Sequence, residues 1–170
     1  TRLLAVVASA TRIPMTAITL VTGASGGIGE ELAYCAAKAG RSLVLAARSE
    51  SELARVADRI KAAGHARPEI FPLDLTVAGA TDKLADFLKR QSLTVSELVN
   101  NAGWGPVGQV ALLDRTDQLN TIDLNIRALT DLTIRFLPEI IAARGGILNV
   151  ASTAAFQPGP FMAIYYASKS

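Results

Sequence analysis

Near the end of the chain, Tyr165 and Lys169 stand at i and i+4, a spacing that sets both on one face of a helix. A free phenol has a pKa of about 10 and is mostly protonated at neutral pH. An ammonium beside it favours phenolate and poises the group to give and take a proton. Tyr166 competes for this part, because i+3 also reaches the lysine. Upstream, Ser152 follows an apolar run, where a hydroxyl suits an oxygen on which negative charge develops. A hydrolytic serine would need a histidine base. The single histidine, His65, is remote in sequence, and no Gly-x-Ser-x-Gly elbow is present.

A second chemical signal is Thr22-Gly23-Ala24-Ser25-Gly26-Gly27-Ile28-Gly29. An apolar run enters it and an amphipathic helical pattern leaves it. Glycines weaken strand and helix interiors but suit a sharp strand-to-helix turn. Unpaired N–H groups and the positive dipole end of the helix then face an anion. A dinucleotide phosphate is the expected ligand, although Leu32 stands where G-x-G-x-x-G requires its third glycine. About 20 residues on, an NAD site needs a carboxylate for the ribose 2′-hydroxyl. Here the chain reads Ala46-Ala47-Arg48-Ser49, offering a guanidinium to a 2′-phosphate and no carboxylate to repel it.

The elements that must position these groups follow in order. Ile18 to Val21 reads as a strand, and Ile28, Leu32, Cys35, Ala36 and Ala39 recur at helical spacing before Gly40. Ser42 to Ala46 is a buried strand. Ser49-Glu50-Ser51-Glu52 has the form of a capping box for a helix carrying Leu53, Val56 and Ile60. Glu69 to Asp74 is a third strand, placed at a sheet edge by Pro72, which has no N–H for a ladder. Leu84, Phe87 and Leu88 mark a helix, and Leu98-Val99 a fourth strand running into Asn100-Asn101-Ala102-Gly103. One long helix is predicted from about Thr116 to Ala142, bent by Pro138. In it Asn125 falls among Ile122, Ile126 and Leu129, and an amide on such a face must find partners. Ile147 to Val150 is a fifth strand, and a last helix begins near Ala163.

Alternating strands and helices imply an α/β fold, a parallel sheet covered on both faces with right-handed crossovers. In the doubly wound order 3-2-1-4-5 the third strand is the edge, as Pro72 requires, and ligands bind beyond the carboxyl ends of the first and fourth. The 170 residues, half of them apolar, 19% charged and with a net charge of +2, exclude disorder and give no basis for nucleic-acid binding. One cysteine and one histidine leave a metal site little to draw on. Cys35 is expected to pack in the core and His65 to be a solvated loop residue. The lone cysteine fits a reducing, cytoplasmic setting. No apolar run approaches the ~20 residues of a membrane span. Residues 1–14 read as a leader outside the folded domain of residues 15–170, with Ala8-Ser9-Ala10 resembling a cleavage site.

Thr-Gly-x-x-x-Gly-x-Gly at 22–29, Asn100-Asn101-Ala102-Gly103, Asn125, Ser152 and Tyr165-x-x-x-Lys169 together resemble the short-chain dehydrogenase/reductases, in the family's order from Ile18 to the last residue. The resemblance implies a Rossmann-type sheet and hydride transfer between a nicotinamide and a carbonyl or secondary alcohol. Its Ser-to-Tyr spacing (165 − 152 = 13) selects Tyr165 as acid/base, leaving Tyr166 to pack. Lys169 would lower the phenol pKa and bind the nicotinamide ribose, and Ser152 would orient the carbonyl. Asn125 would hold a water linking the lysine to solvent. Gly23, Ser25, Gly27, Ile28 and Gly29 would form the phosphate turn, with Asp74 and Leu75 beside the adenine and Asn101, Ala102 and Gly103 on the floor near the ribose. Arg48 marks the NADP type.

Within this class 3-oxoacyl thioester reduction is the alternative substrate chemistry, and a non-catalytic dinucleotide-binding or scaffold fragment is the alternative outside it. The loop Trp104 to Asp114 and residues Ala154 to Met162 would line an apolar substrate pocket. Family members form dimers or tetramers through the long helix and the Tyr-Lys helix. They also continue past that helix with further strands and a mobile substrate-binding segment, so the chain is expected to be an incomplete domain.

Overall fold

Residues 15–170 are described by a computed structural model, and the predicted leader of residues 1–14 lies outside them. Five strands, β1 (Thr16–Thr22), β2 (Leu43–Ala47), β3 (Glu69–Pro72), β4 (Leu93–Asn100) and β5 (Gly146–Asn149), form one sheet in the order β3-β2-β1-β4-β5. Every pair is parallel. Between strands run α1 (Gly27–Lys38), α2 (Glu50–Ala62), α3 (Ala80–Arg90) and a long composite helix. The fold is a Rossmann-type doubly wound sheet, with β3 at the edge as Pro72 requires. Among the described residues no helix is long and apolar enough to cross a membrane.

Strand residues alternate between two cores, as the pleat dictates. Ile18 and Leu20 of β1, Val44 and Ala46 of β2 and Leu98 of β4 pack with Leu84, Leu88, Leu132 and Phe136. Val21, Leu43, Leu45 and Val99 point the other way, onto Ala33 and Ala37 of α1 and Leu53, Val56 and Ile60 of α2. Fully buried Leu and Ile side chains each contribute about 1.5–3 kcal/mol relative to exposure. The two layers hold the strand ends at fixed height, which is what a site on those ends needs.

Three expectations are corrected. The buried face of α1 is Gly29, Glu30, Ala33 and Ala37, so Ile28 and Cys35 are exposed and Cys35 is not a core residue. Small residues let α1 sit close on the sheet, Leu32 and Tyr34 pack partly buried at its margin, and Ile28 faces out. His65 is half-buried, its ring edge-on to Tyr34 at 5.9 Å, because the connection folds back beneath α1. The long helix runs unbroken over its predicted length but is not α-helical throughout: α4 (Arg115–Ile122) passes through a π-helical segment, Asp123–Ala128, into α5 (Leu129–Ala142), which runs on through Pro138. On it Asn125 is buried with Thr121 and Ala128, while Ile122 and Ile126 face out.

Ser49 caps α2 by accepting the Glu52 N–H at 3.3 Å, the first half of a capping box. The reciprocal half is absent because the Glu52 carboxylate takes Arg55 Nε at 2.8 Å. Between α1 and α2, buried Glu30 accepts from Arg55 at 3.0 and 2.7 Å and from Arg59 at 2.7 Å. Hydrogen bonding by Arg55, opposed by burial and aided by Arg59, lowers its pKa from 4.5 to about 2. Because the folded value lies below the unfolded one, the pair's contribution is complete above pH 4.5 and is lost as pH falls towards about 2. Glu30→Gln should lower stability at pH 7 by about 1 kcal/mol, a value discounted because both arginines are half in water. It should also flatten the fall of the urea midpoint between pH 5 and 3. Parallel midpoint-against-pH curves for the two proteins would refute the assignment.

Candidate functional site

The carboxyl ends of β1 and β4 are joined by a small knot of hydrogen bonds. Thr22 Oγ1 donates to the Val99 carbonyl at 3.1 Å and accepts the N–H groups of Asn101 and Ala102, each at 3.1 Å. Asn101 Nδ2 returns across the gap to the carbonyls of Thr22, at 2.9 Å, and Gly23, at 3.1 Å. Each buried bond contributes about 0.5–1.5 kcal/mol, and each buried N–H left without a partner would cost about 1–3 kcal/mol. The turn closes so tightly that a Cβ on Gly23, which has φ +64°, would stand 2.8 Å from the Ala102 Cα. A Cβ on Gly29 would collide with the Gly23 carbonyl and the Asn101 amide. These glycines are required by space, and one of them also by its backbone angle. Asn100 turns the other way, donating to Thr133 Oγ1 at 3.1 Å and Asn149 Oδ1 at 2.9 Å.

Above this knot opens a cleft of about 900 Å³. Gly23, Ser25, Ile28 and Gly29 line it, with Arg48 after β2, Asp74 and Leu75 after β3, and Asn101, Ala102 and Gly103 after β4. Ser152 after β5, and Tyr165 and Lys169 of α6 (Ala163–Lys169), line it too. Of the loops expected to line a substrate pocket, 104–114 and 154–162, only Trp104 reaches the wall, and two of the expected catalytic and coenzyme residues are absent from it. Gly27, at φ +55°, starts α1 behind the turn. Asn125 sits beneath the floor. Residues not foreseen are Ser49, Thr76 and one face of the composite helix, Asp117, Asn120 and Leu124. Their i, i+3, i+7 spacing is visible in the sequence, but only the packing of α4 beside α6 turns that face towards the cleft.

Tyr165 and Lys169 share one face of α6. The lysine Nζ lies 6.0 Å from the Tyr165 ring centroid and donates to the Val150 carbonyl at 3.2 Å. Tyr166 points elsewhere, its ring against Gly159 in space that a Cβ would need. Ser152 has extended backbone and caps a short 3-10 turn, Thr153–Ala155, by accepting the Ala154 N–H at 3.1 Å. That bond fixes the oxygen while leaving its own proton to donate. The Asn125 amide has three partners: Oδ1 accepts the Trp104 N–H at 2.9 Å, and Nδ2 donates to the Trp104 carbonyl at 2.9 Å and Ser168 Oγ at 2.8 Å. It joins the π-helical segment to the loop after β4 and to α6. Functional sites commonly use such π-turns. Gly103 lies between, and a Cβ there would stand 3.1 Å from Lys169 Nζ and 3.3 Å from Asn125 Oδ1.

The other end of the cleft is built for anions. Gly26 provides no side-chain cap to α1, so the helix presents its first N–H groups beside Gly26, Ile28 and Gly29 on the wall. Arg48 is exposed, and among the described residues no carboxylate pairs with it. Asp74 Oδ1 is occupied by the Thr76 N–H at 2.9 Å and hydroxyl at 2.8 Å, which orients Oδ2 for a further donor. These residues fit an extended molecule carrying phosphates and a base. On the α6 side, two loops meet where the Gly108 N–H donates to the Phe161 carbonyl at 2.7 Å. Phe161 is held at φ +63°, a strained angle for a bulky residue, and strain of this kind clusters at functional sites.

A family model for short chain dehydrogenases matches residues 17–170. Among curated relatives, 11-beta-hydroxysteroid dehydrogenase A of Sesamum indicum is 34% identical over 157 residues, which make up 90% of this chain and 44% of that protein. Among solved structures, a metagenomic short-chain oxidoreductase in complex with NADP aligns with a TM-score of 0.82 and 34% identity, over 91% of this chain and 70% of that one. A short chain dehydrogenase/reductase from Burkholderia phymatum in complex with NAD gives 0.81 and 31%, over 92% and 56%. The chain thus spans about half the length of the curated relatives it matches. With the glycine turn, the Asn-Asn-Ala-Gly corner and the Ser-Tyr-Lys cluster on one cleft, the match covers the whole described fold, and the chain belongs to the short chain dehydrogenase family.

Proposed function

We propose that this chain carries the coenzyme and acid–base machinery of an NADP-dependent oxidoreductase acting on a carbonyl or secondary alcohol. The observation that carries the reading is the convergence of Ser152, Tyr165 and Lys169 on the cleft that also holds the glycine turn and Arg48. When bound, the nicotinamide gives or takes the hydride. Tyr165 moves the proton at the substrate oxygen, as acid in reduction and base in oxidation. The Lys169 ammonium favours the phenolate, and the Ser152 hydroxyl donates to the same oxygen as charge builds there. Asn125 is a positioning residue that holds Gly103 and Trp104 beside Lys169. Asp74 Oδ2 would accept from the adenine amino group. The first turn of α1 would hold the pyrophosphate and Arg48 the 2′-phosphate. Relatives in complex with NADP and with NAD both exist, so the choice of NADP rests on Arg48 alone.

An apolar substrate is supported by the exposure of Val107, Phe156 and Phe161 on the two loops joined through Gly108 and Phe161. Self-association is supported by an exposed stripe along the composite helix: Leu119, Ile122, Ile126, Ile134, Leu137 and Ile141. Ile134 and Ile141 are 67% and 66% exposed, unusual for isoleucines sharing a face.

Tyr165→Phe should reduce carbonyl-dependent NADPH oxidation by at least about 100-fold, the scale of general acid–base catalysis, with the NADPH dissociation constant nearly unchanged. An inactive Tyr166→Phe beside an active Tyr165→Phe would overturn the register. Arg48→Ala should weaken NADPH by about 10- to 100-fold, as expected for a lost charged contact, and NADH by little. Equal effects on the two coenzymes would remove the basis for NADP. Light scattering should give a dimer or tetramer for the native chain and monomer for Ile134→Glu with Ile141→Glu; an unchanged mass would move the interface elsewhere.

A further inference from the structure

The glycine turn is tied from two directions. Asn101 holds Gly23 from the sheet. From α2, Arg55 Nη2 donates to the Ser25 carbonyl at 3.3 Å. The same guanidinium forks onto Glu30 of α1 at 3.0 and 2.7 Å, and its Nε reaches Glu52 at 2.8 Å. Glu30 is only 8% exposed, so the arginine rests on a carboxylate that the fold has already fixed. Next to Ser25 come Gly26 and Gly27, and at neither would a Cβ meet any atom within 4 Å. Side-chain packing therefore does nothing to orient the Ser25–Gly26 peptide. In a trans peptide the C=O and N–H point in opposite directions. Drawing the Ser25 carbonyl onto Arg55 turns the Gly26 N–H away from α2, and Gly26, unlike Arg55, is part of the cleft wall.

We propose that Arg55, seated on Glu30, is a positioning residue for coenzyme binding. It fixes the Ser25–Gly26 peptide so that the N–H groups at the start of α1 are preset for a dinucleotide pyrophosphate. The assignment rests on the dinucleotide reading above and adds a separable claim. Both coenzymes contain the pyrophosphate, so Arg55 acts on NADPH and NADH alike, whereas Arg48 acts on one of them.

The test is coenzyme titration of the full chain by fluorescence, for the native protein, Arg55→Met and Arg55→Lys, with amide NMR of Gly26. Arg55→Met should weaken NADPH and NADH by the same factor, about 5- to 20-fold, the size of one lost charged hydrogen bond. Arg55→Lys keeps a charge without the fork and should recover part of that loss. The Gly26 amide resonance should move in the Met variant while those of Leu20 and Leu98 stay in place. Unchanged dissociation constants, a loss confined to NADPH, or shifts throughout the core amides would each overturn the proposal. Native chain that binds both coenzymes, with Arg55→Met indistinguishable from it, rejects Arg55 alone; native chain that binds neither rejects the dinucleotide reading and this inference with it.

Discussion

The hydroxyl of Thr22 and the carboxamide of Asn101 bind together the ends of β1 and β4, from which the glycine turn and the Asn-Asn-Ala-Gly corner of the candidate site start. One hydroxyl receives two backbone N–H groups from the corner after β4, and one amide gives its hydrogens to two carbonyls at the end of β1. The hydroxyl's donor and both its acceptor sites are used, as are both amide hydrogens of Asn101, and the two groups lie where the strand order of the sheet reverses. Because the two chains approach within van der Waals contact, the positions between them admit only glycine. The tightness of the glycine turn is thus tied to the closing of this gap.

Around that closure the charges are arranged in two tiers. The inner tier is Glu30 with Arg55 and Arg59, bridging the two helices on one face of the sheet. A cation–π contact of Arg59 over Tyr34, at 5.1 Å, extends it. These arginines are already neutralised by carboxylates. The outer tier is Arg48, at the cleft and without a carboxylate partner among the described residues. The separation matters chemically: only the second guanidinium keeps its full charge for an anion arriving from solvent. At the far end, Lys169 similarly carries no ion pair among the described residues and spends one hydrogen on the Val150 carbonyl.

Most of the site was legible because its parts obey local rules. Glycines, the Asn-Asn-Ala-Gly corner and the i, i+4 pair Tyr165 and Lys169 each announce a backbone or helix-face requirement that a one-dimensional pattern preserves. Two of the errors concern which face of a helix is buried, and the third is His65, a loop residue packed against Tyr34. For α1 the largest apolar residues suggested the buried face, yet close approach to the sheet selected Gly29, Ala33 and Ala37. Within the composite helix the apolar neighbours Ile122 and Ile126 suggested the buried face, yet Thr121, Asn125 and Ala128 are buried and the isoleucines face out. The partners that Asn125 finds at Trp104 and Ser168 come from elements distant in sequence, which the helix pattern does not carry.

By itself the sequence determined the alternation of strands and helices, the edge position of β3, the glycine turn and the i, i+4 placing of Tyr165 and Lys169 on one helix face. These are consequences of side-chain periodicity, of the missing proline N–H and of chemical type, all local properties. Only the tertiary structure decided that Asn125 is a brace beneath the floor and that Asp117, Asn120 and Leu124 complete the wall. Those outcomes depend on how whole elements are rotated against one another. Rotation is set by packing between residues far apart in the chain, which no local pattern encodes.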